Sequence, residues 1–251
     1  MLIKQVPDTW GDRRLDPTTG RVDRTDGEQV IDEIDERALE VALAHRDGDK
    51  ATEVVAVVMG PACAADAIKK ALSTGADAAV HVLDDGLEGA DAGLTAAALA
   101  GALRTGGYDL VIAGNVSTDG RGGVVPAMIA EHLGLPLVSS LDTVGIAADS
   151  VGGTRTVDAG QETLRAPLPA LVTVTERVPE ARFPNFKSIM SARKKPVQRL
   201  TLAEVGAVPA AARSVVLTTA ERPAREAGTI VVDDGTAAQQ LVDYLVAERL
   251  V

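Results

Sequence analysis

The sequence predicts an α/β domain built on a parallel sheet, and three observations carry that prediction. Aliphatic runs alternate with apolar residues at helical spacing from Val54 to Val138. Hydrophobic residues make up 46% of the chain and aromatics only 2%, so the core has to be built from Val, Leu, Ile and Ala. Parallel strands covered on both faces read as such aliphatic runs. Finally, a glycine-rich loop joins one of these strands to a helix. At 251 residues the chain suits one large domain or two small ones, at about 100–200 residues per domain.

Met1–Val6 (MLIKQV) is a short first strand, and Pro7–Glu28 is a polar extended loop or hairpin. Asp32–Arg46 is a helix. Asp32 caps it, Asp35 and Glu36 favour its N-terminal dipole, and Ala38, Leu39, Ala42 and Leu43 form its apolar stripe. Val54–Val58 is a strand, Cys63–Ser73 a helix, Ala78–Leu83 a strand and Asp91–Arg104 a helix. Leu110–Ala113 is a third buried strand, Gly122–Leu133 a helix, and Pro136–Val138 begins another strand. Strands and helices alternating at these lengths imply crossover units.

After residue 140 the pattern changes. Thr143–Ala147, Arg155–Ala159 and Glu162–Ala166 read as short strands between Gly-rich turns, an antiparallel excursion hung on the sheet. Leu171–Val174 returns to the core, and Arg177–Lys195 is polar and interrupted by Pro. Leu200–Ala227 has little periodicity and reads as an extended arm. Its apolar positions, with those just beyond it, are Val208, Val215, Val216, Leu217, Ile230 and Val231, which suggest that it lies on a partner. Thr236–Leu250 is a final amphipathic helix with Leu241, Tyr244 and Leu245 on one side. The expected division is residues 1–200 as the α/β domain and 201–251 as arm and helix.

The formal net charge of -11 argues against nucleic acid, which needs a basic footprint. No run of 18 apolar residues is present, so no membrane span is expected. The start lacks the pattern of a signal peptide. Cys63 is the single cysteine, no Cys/His spacing suggests a metal, and the cytoplasm is the expected compartment.

The chemistry centres on Gly114–Val125. Gly114 ends a strand at the edge where open α/β sheets bind ligands. Gly120, Gly122 and Gly123 let the backbone approach a ligand, and the N–H groups of Gly123–Val125 open a helix toward an anion. Asp119 meets a ribose hydroxyl or holds the loop. The plain reading is a βα loop, since this is neither a Walker loop nor GxGxxG. His45, His81 and His132 read as structural. Cys63 sits at a helix start, where a thiol pKa can drop, but reads first as a small buried residue. Arg193-Lys194-Lys195 reads as a solvated face. No catalytic constellation stands out, which points to a binder or cofactor holder.

Several motifs occur in order: Lys4-Gln-Val-Pro-Asp-Thr9, Asp32-Glu-Ile-Asp-Glu-Arg-Ala-Leu-Glu40, Ala71-Leu-Ser-Thr-Gly-Ala-Asp77, the Gly114–Pro126 loop and Leu168-Pro-Ala170. Glu180-Ala-Arg-Phe-Pro-Asn-Phe-Lys-Ser-Ile-Met-Ser-Ala-Arg-Lys-Lys195 follows and is the most specific. Together they resemble the beta subunit of electron transfer flavoprotein, the actinobacterial type most closely.

That resemblance implies an adenine nucleotide alpha hydrolase-like fold and a heterodimer with an alpha subunit. The alpha subunit would hold most of one FAD, the beta subunit would bind AMP structurally, and the C-terminal arm would wrap around alpha. Electrons would come from acyl-CoA and other dehydrogenases and pass to a membrane quinone oxidoreductase. The AMP site would comprise Leu2, Asp32, Glu33, Ile34, Asp35, Met59, Gly114, Asn115, Val116, Ser117, Thr118, Asp119, Gly120, Arg121, Gly122, Gly123, Val124 and Val125. Thr9 and Ile34 would lie nearest the flavin. Arg182, Phe183, Phe186, Ile189 and Met190 would dock the dehydrogenases.

There are departures. The chain begins several residues later than the family usually does, which shortens the first strand that carries Leu2. Asp32 stands where many members have Asn, and Thr156 where some carry a Glu that pairs with alpha. Bifurcating members hold a second FAD where AMP would sit. A different class, a stand-alone adenine-nucleotide binder or ATP-using enzyme of the same fold, would need no second chain.

Overall fold

The computed structural model describes residues 1–251 except 12, 25, 26, 209–211, 214, 215, 221, 222 and 224–227. Val215 and part of the expected arm therefore lie outside the described residues. The chain forms two compact units, Met1–Thr218 and Thr219–Val251.

In the first unit the order is β1 (Gln5–Pro7), β2 (Gln29–Ile31), α1 (Glu33–Gly48), β3 (Val55–Met59), α2 (Ala65–Thr74), β4 (Ala78–Val82), α3 (Ala92–Gly106), β5 (Leu110–Gly114) and α4 (Val125–Leu133). Then follow β6 (Leu137–Leu141), β7 (Gly145–Ile146), β8 (Ser150–Val157), β9 (Gly160–Pro167), β10 (Ala170–Val174), α5 (Phe186–Ala192) and β11 (Val197–Leu200). The second unit carries α6 (Ala237–Ala247).

Two parallel ribbons, β11-β4-β3 and β5-β10-β6, form the sheet. Residues 1–3 stitch them together. Leu2 bridges Val57 of β3, and its N–H donates to the Ile112 carbonyl of β5 at 2.9 Å. The expected first strand is thus split. Its first part joins the parallel sheet, and its second part, β1, pairs antiparallel with β2. The break falls at Lys4, whose N–H donates to Asp35 Oδ2 and whose carbonyl accepts from Asp32 N–H, so neither group is left for a neighbouring strand.

The alternation of side chains fills both faces. Val58, Ile112 and Val172 point into one core with Leu39 and Leu43 of α1 and Ile68 and Leu72 of α2. Val57, Val111 and Leu171 point into the other with Leu94, Leu99 and Leu103 of α3 and Ile129 of α4. This layering of helices on a two-sided parallel sheet is the predicted class.

Three expectations are corrected. Arg155–Ala159 is not one strand, because Asp158–Ala159 form the turn between β8 and β9. Gly152 and Gly153, which looked like a turn, lie inside β8. A Cβ at Gly153 would stand 1.7 Å from the Thr143 carbonyl oxygen, so a side chain cannot fit there. The helix expected from Gly122 starts at Val125, since Gly123 has φ +65°. The Arg177–Lys195 segment holds α5, capped by Asn185, whose side chain accepts from Ser188 N–H at 2.9 Å. Val197–Leu200, only one residue of which is buried, adds an edge strand that its pattern did not announce.

Close packing around α3 offers a test of this layering. A Cβ on Gly101 would lie 2.0 Å from the Val205 carbonyl oxygen. Gly101→Ala is expected to lower unfolding stability by roughly 1–3 kcal/mol, the usual cost of overpacking, read by denaturant titration. An unchanged midpoint would contradict the packing of residues 201–207 on α3.

Candidate functional site

Two carboxylates at the start of α1 organise the C-terminal edge of the sheet. Asp32 is fully buried and is the N-cap of α1. Its side chain accepts from Ile34 N–H at 3.1 Å, Thr118 N–H at 2.5 Å and the Thr118 hydroxyl at 2.7 Å. One turn on, Asp35 accepts from Lys4 N–H and Gly114 N–H, both at 2.9 Å. Residues three apart share a helix face, which brings both groups to one spot. Burial, then the neighbouring charge of Asp32, pushes the Asp35 carboxyl up to about 7, against the pull of the Gly114 and Lys4 N–H groups. Gly114 has to be glycine, because a Cβ there would stand 2.7 Å from Asp35 Oδ1.

Beyond Gly114 the loop is held from outside. Asp119, its side chain wholly buried, accepts from Lys4 Nζ at 2.7 Å, Arg24 Nη2 at 2.5 Å and Gly120 N–H at 2.6 Å. Burial opposes ionisation of Asp119. The Lys4 ammonium, as donor and as charge, outweighs it with help from Ser117 and Gly120, and holds the carboxyl well below the usual range. Asp119 therefore holds the loop rather than facing outward. Arg13 donates to the Thr118 carbonyl, to the Thr118 hydroxyl at 3.1 Å and to the Pro7 carbonyl at 2.6 Å.

The loop then turns through two left-handed residues, Arg121 at φ +51° and Gly123 at φ +65°, into the N-terminus of α4. Residues 120–124 are exposed. Among the described residues, the N–H groups of Gly122, Gly123, Val124 and Val125 donate to no protein acceptor. A turn of this kind followed by free helical N–H groups is suited to an anion. A Cβ at Gly122 would meet nothing within 4 Å, so there is open space above it.

The other expected residues sit at different depths. Met59 ends β3 at the same edge and is half-buried, while Leu2 is buried at the level of Val57 and Ile112, below the edge. Glu33 and Thr9 are exposed and Ile34 is buried against Gly114. Asn115 donates its N–H to the Val174 carbonyl and accepts from Val116 N–H on its own side chain, fixing the loop's first bend. Lys4, Arg13 and Arg24 were not picked out from the sequence. Only Lys4, directly after an apolar run at a strand end, carried a signal.

The docking candidates form a separate patch. Phe183 and Phe186 are 92% and 80% exposed, and Ile189 and Met190 about half. Arg182 is not free in that patch. It makes a two-pronged pair with Glu40, with 2.7 Å bonds to Oε2 and Oε1, and reaches Asp47 at 2.8 Å, which pins the segment to α1. Thr156 is likewise engaged, donating N–H and hydroxyl to Asp142 and accepting from Arg177. His81 is buried with Nε2 3.0 Å from the Gly60 carbonyl, and Cys63 is exposed rather than buried. In the second unit no residue of α6 is buried. Among the described residues no helix is long and apolar enough to cross a membrane.

A parallel α/β sheet with a glycine-rich loop at its C-terminal edge places the chain in the class of α/β nucleotide-binding-like folds. Residues 19–205 match the family described as electron transfer flavoprotein domain. The chain is 49% identical over 262 residues to the electron transfer flavoprotein subunit beta of Mycobacterium leprae (strain TN), covering 100% of this chain and 98% of that protein. It is 33% identical over 246 residues to the subunit beta of Syntrophomonas wolfei (98% and 94% covered). It is 30% identical over 254 residues to the caffeyl-CoA reductase-Etf complex subunit CarD of Acetobacterium woodii (99% and 96% covered). The chain belongs to the electron transfer flavoprotein family, on its beta-subunit branch.

The buried carboxylate gives a pH signature. Folded Asp35 keeps a proton up to about pH 7, whereas a solvated Asp releases it at about 4. Between those values the folded state binds more protons than the unfolded one, so this group's contribution falls as pH rises through the window and levels off above it. Relative to Asp35→Asn, the parent chain is expected to gain roughly 2 kcal/mol of unfolding stability on going from pH 8 to pH 5. A difference that does not change with pH would contradict this.

Proposed function

We propose that this chain is the beta half of a heterodimeric electron transfer flavoprotein that binds AMP on the 114–125 loop as a structural nucleotide. FAD is held mainly by an alpha subunit, and electrons pass from acyl-CoA and other dehydrogenases to a membrane quinone oxidoreductase. The observation that carries the nucleotide reading is the set of N–H groups opening α4 that, among the described residues, donate to no protein acceptor, on a loop already held by Asp32 and Asp119. Such a site needs little reordering when a phosphate arrives, which favours binding.

The fit extends along the edge. Gly122, Gly123, Val124 and Val125 would receive the phosphate, and Met59 offers an apolar surface to the base. The flavin, when bound, supplies the redox chemistry, and this chain's part is to present a rigid surface to it, with Thr9 exposed and Ile34 fixed behind Gly114. Two exposed apolar surfaces support a role built on partners. Phe183 and Phe186 are large anchors on a segment pinned by Arg182, the arrangement expected of a docking surface. The second unit exposes Leu241, Tyr244 and Val246 of α6 together with Ile230 and Val232, a surface for the alpha subunit. On this reading residues 201–251 are the arm and helix, of which those beyond Ala207, where the packing on α3 ends, hold the alpha subunit.

Calorimetric titration of the full chain should show AMP binding at least about 100-fold tighter than adenosine, because the phosphate meets several charge-assisted bonds. Equal affinity would remove the phosphate role of the loop. Phe186→Ala, in the flavin-loaded heterodimer, should lower kcat/KM for reduction by a dehydrogenase about tenfold or more while flavin content stays at the parent level. An unchanged rate would remove Phe186 from docking.

A further inference from the structure

In the polar segment between β1 and β2, residues 13–24 have no part in the reading above, yet two of their side chains reach the nucleotide loop. It folds back on itself. Leu15 bridges Val22, the Asp16 carboxylate caps its turn by accepting from Thr18 N–H at 2.7 Å and Thr19 N–H at 3.1 Å, and Gly20 N–H donates to the Asp16 carbonyl. One end of this hairpin grips the loop. Arg13 binds Thr118 at both carbonyl and hydroxyl, and Arg24 binds Asp119. The other end lies on the root of the arm. A Cβ on Gly20 would stand 2.6 Å from Val216 Cγ1, and Arg21 is 3.7 Å from Glu88.

We propose that residues 13–24 form a strap over the nucleotide loop, with Arg13 and Arg24 as positioning residues that hold Thr118–Asp119 in its binding shape. Nucleotide occupancy and the order of the strap are therefore coupled. The proposal rests on the reading of the 114–125 loop as the nucleotide site.

The physical reasoning follows from the loop's own weakness. Past Gly120 the backbone passes through a left-handed non-glycine residue, Arg121, a conformation that persists only when neighbours enforce it. Its immediate internal restraint is one bond, Arg121 N–H to the Ser117 carbonyl at 3.0 Å. The neighbours that enforce it are the groups fixing Ser117, Thr118 and Asp119. Two come from the sheet edge, Asp32 and Lys4, and two from the strap, Arg13 and Arg24. Releasing the strap frees Thr118–Asp119 to move and disperses the N–H groups that follow. By reciprocity, filling the site restrains the strap and, through Gly20 and Val216, the start of the arm.

The strap contacts are also chosen so as not to compete with an anion. Arg13 is directed to the carbonyl and hydroxyl oxygens of Thr118 and the carbonyl of Pro7, and Arg24 to Asp119, so both cations are already paired while residues 120–124 stay exposed.

Two measurements on the full chain test this. In the first, AMP affinity is compared for the parent, Arg13→Ala, Arg24→Ala and Arg24→Lys. Each alanine variant should weaken AMP about tenfold, the effect of losing a charge-assisted bond, and Arg24→Lys should recover most of it. In the second, amide hydrogen exchange in residues 13–24 of the parent is followed with and without AMP, which needs no variant to fold. AMP should slow exchange there about tenfold or more, a degree of protection that reports local opening. If the parent binds AMP but the alanine variants bind it equally, or exchange in 13–24 ignores AMP, the strap is overturned and the nucleotide reading stands. If the parent binds no AMP, both fall.

Discussion

The structure depends on a pair of buried carboxylates one helical turn apart. Asp32 and Asp35 reach three separate chain segments from the N-terminus of α1. Asp35 joins Lys4 to Gly114, and Asp32 joins the helix start to Thr118. These contacts hold the stitch of residues 1–3, the end of β5 and the loop beyond it in one register. The arrangement carries electrostatic strain once Asp35 ionises, since that carboxyl is desolvated and faces the charge of Asp32. Backbone N–H groups and the positive end of the helix dipole offset that strain. A site built this way is rigid because each carboxylate oxygen is already committed to the backbone.

Much of the fold was legible because the aliphatic runs coincide with strands covered on both faces. Val55–Met59, Ala78–Val82, Leu110–Gly114 and Ala170–Val174 all show that signal and all are central. What escaped is what lacks it. β11 is an edge strand with mostly exposed residues, and β2 is three residues long. Gly152 and Gly153 carried a false turn signal, because the close approach of Thr143, rather than a bend, excludes side chains there. The start of α4 was misplaced because Gly122-Gly123 runs straight into the apolar helix sequence, and the left-handed turn at Gly123 leaves no pattern of its own.

The candidate site divides in the same way. The loop glycines and Asp32 could be read from local pattern and family likeness. The roles of Lys4, Arg13 and Arg24 could not, because each acts on Thr118 or Asp119 across 95 or more positions of sequence. Long-range charge pairing leaves no periodic trace. Asp119 shows the consequence. Ribose contact and loop support were both open from sequence, and in the structure the Asp119 carboxylate is paired with Lys4 and Arg24, which hold the loop. The exposed Phe183 and Phe186 are the reverse case, where rarity in composition already singled them out.

On the proposed reading, the held loop and the exposed apolar patches fit together as one design: a subunit that a nucleotide stiffens and partners complete. The central claim is that the 114–125 loop holds AMP. It is tested most directly by denaturing the purified heterodimer and identifying the released small molecules by mass. AMP together with FAD, in equal amounts, is the expected result. Release of FAD alone, or of twice as much FAD with no AMP, would contradict it.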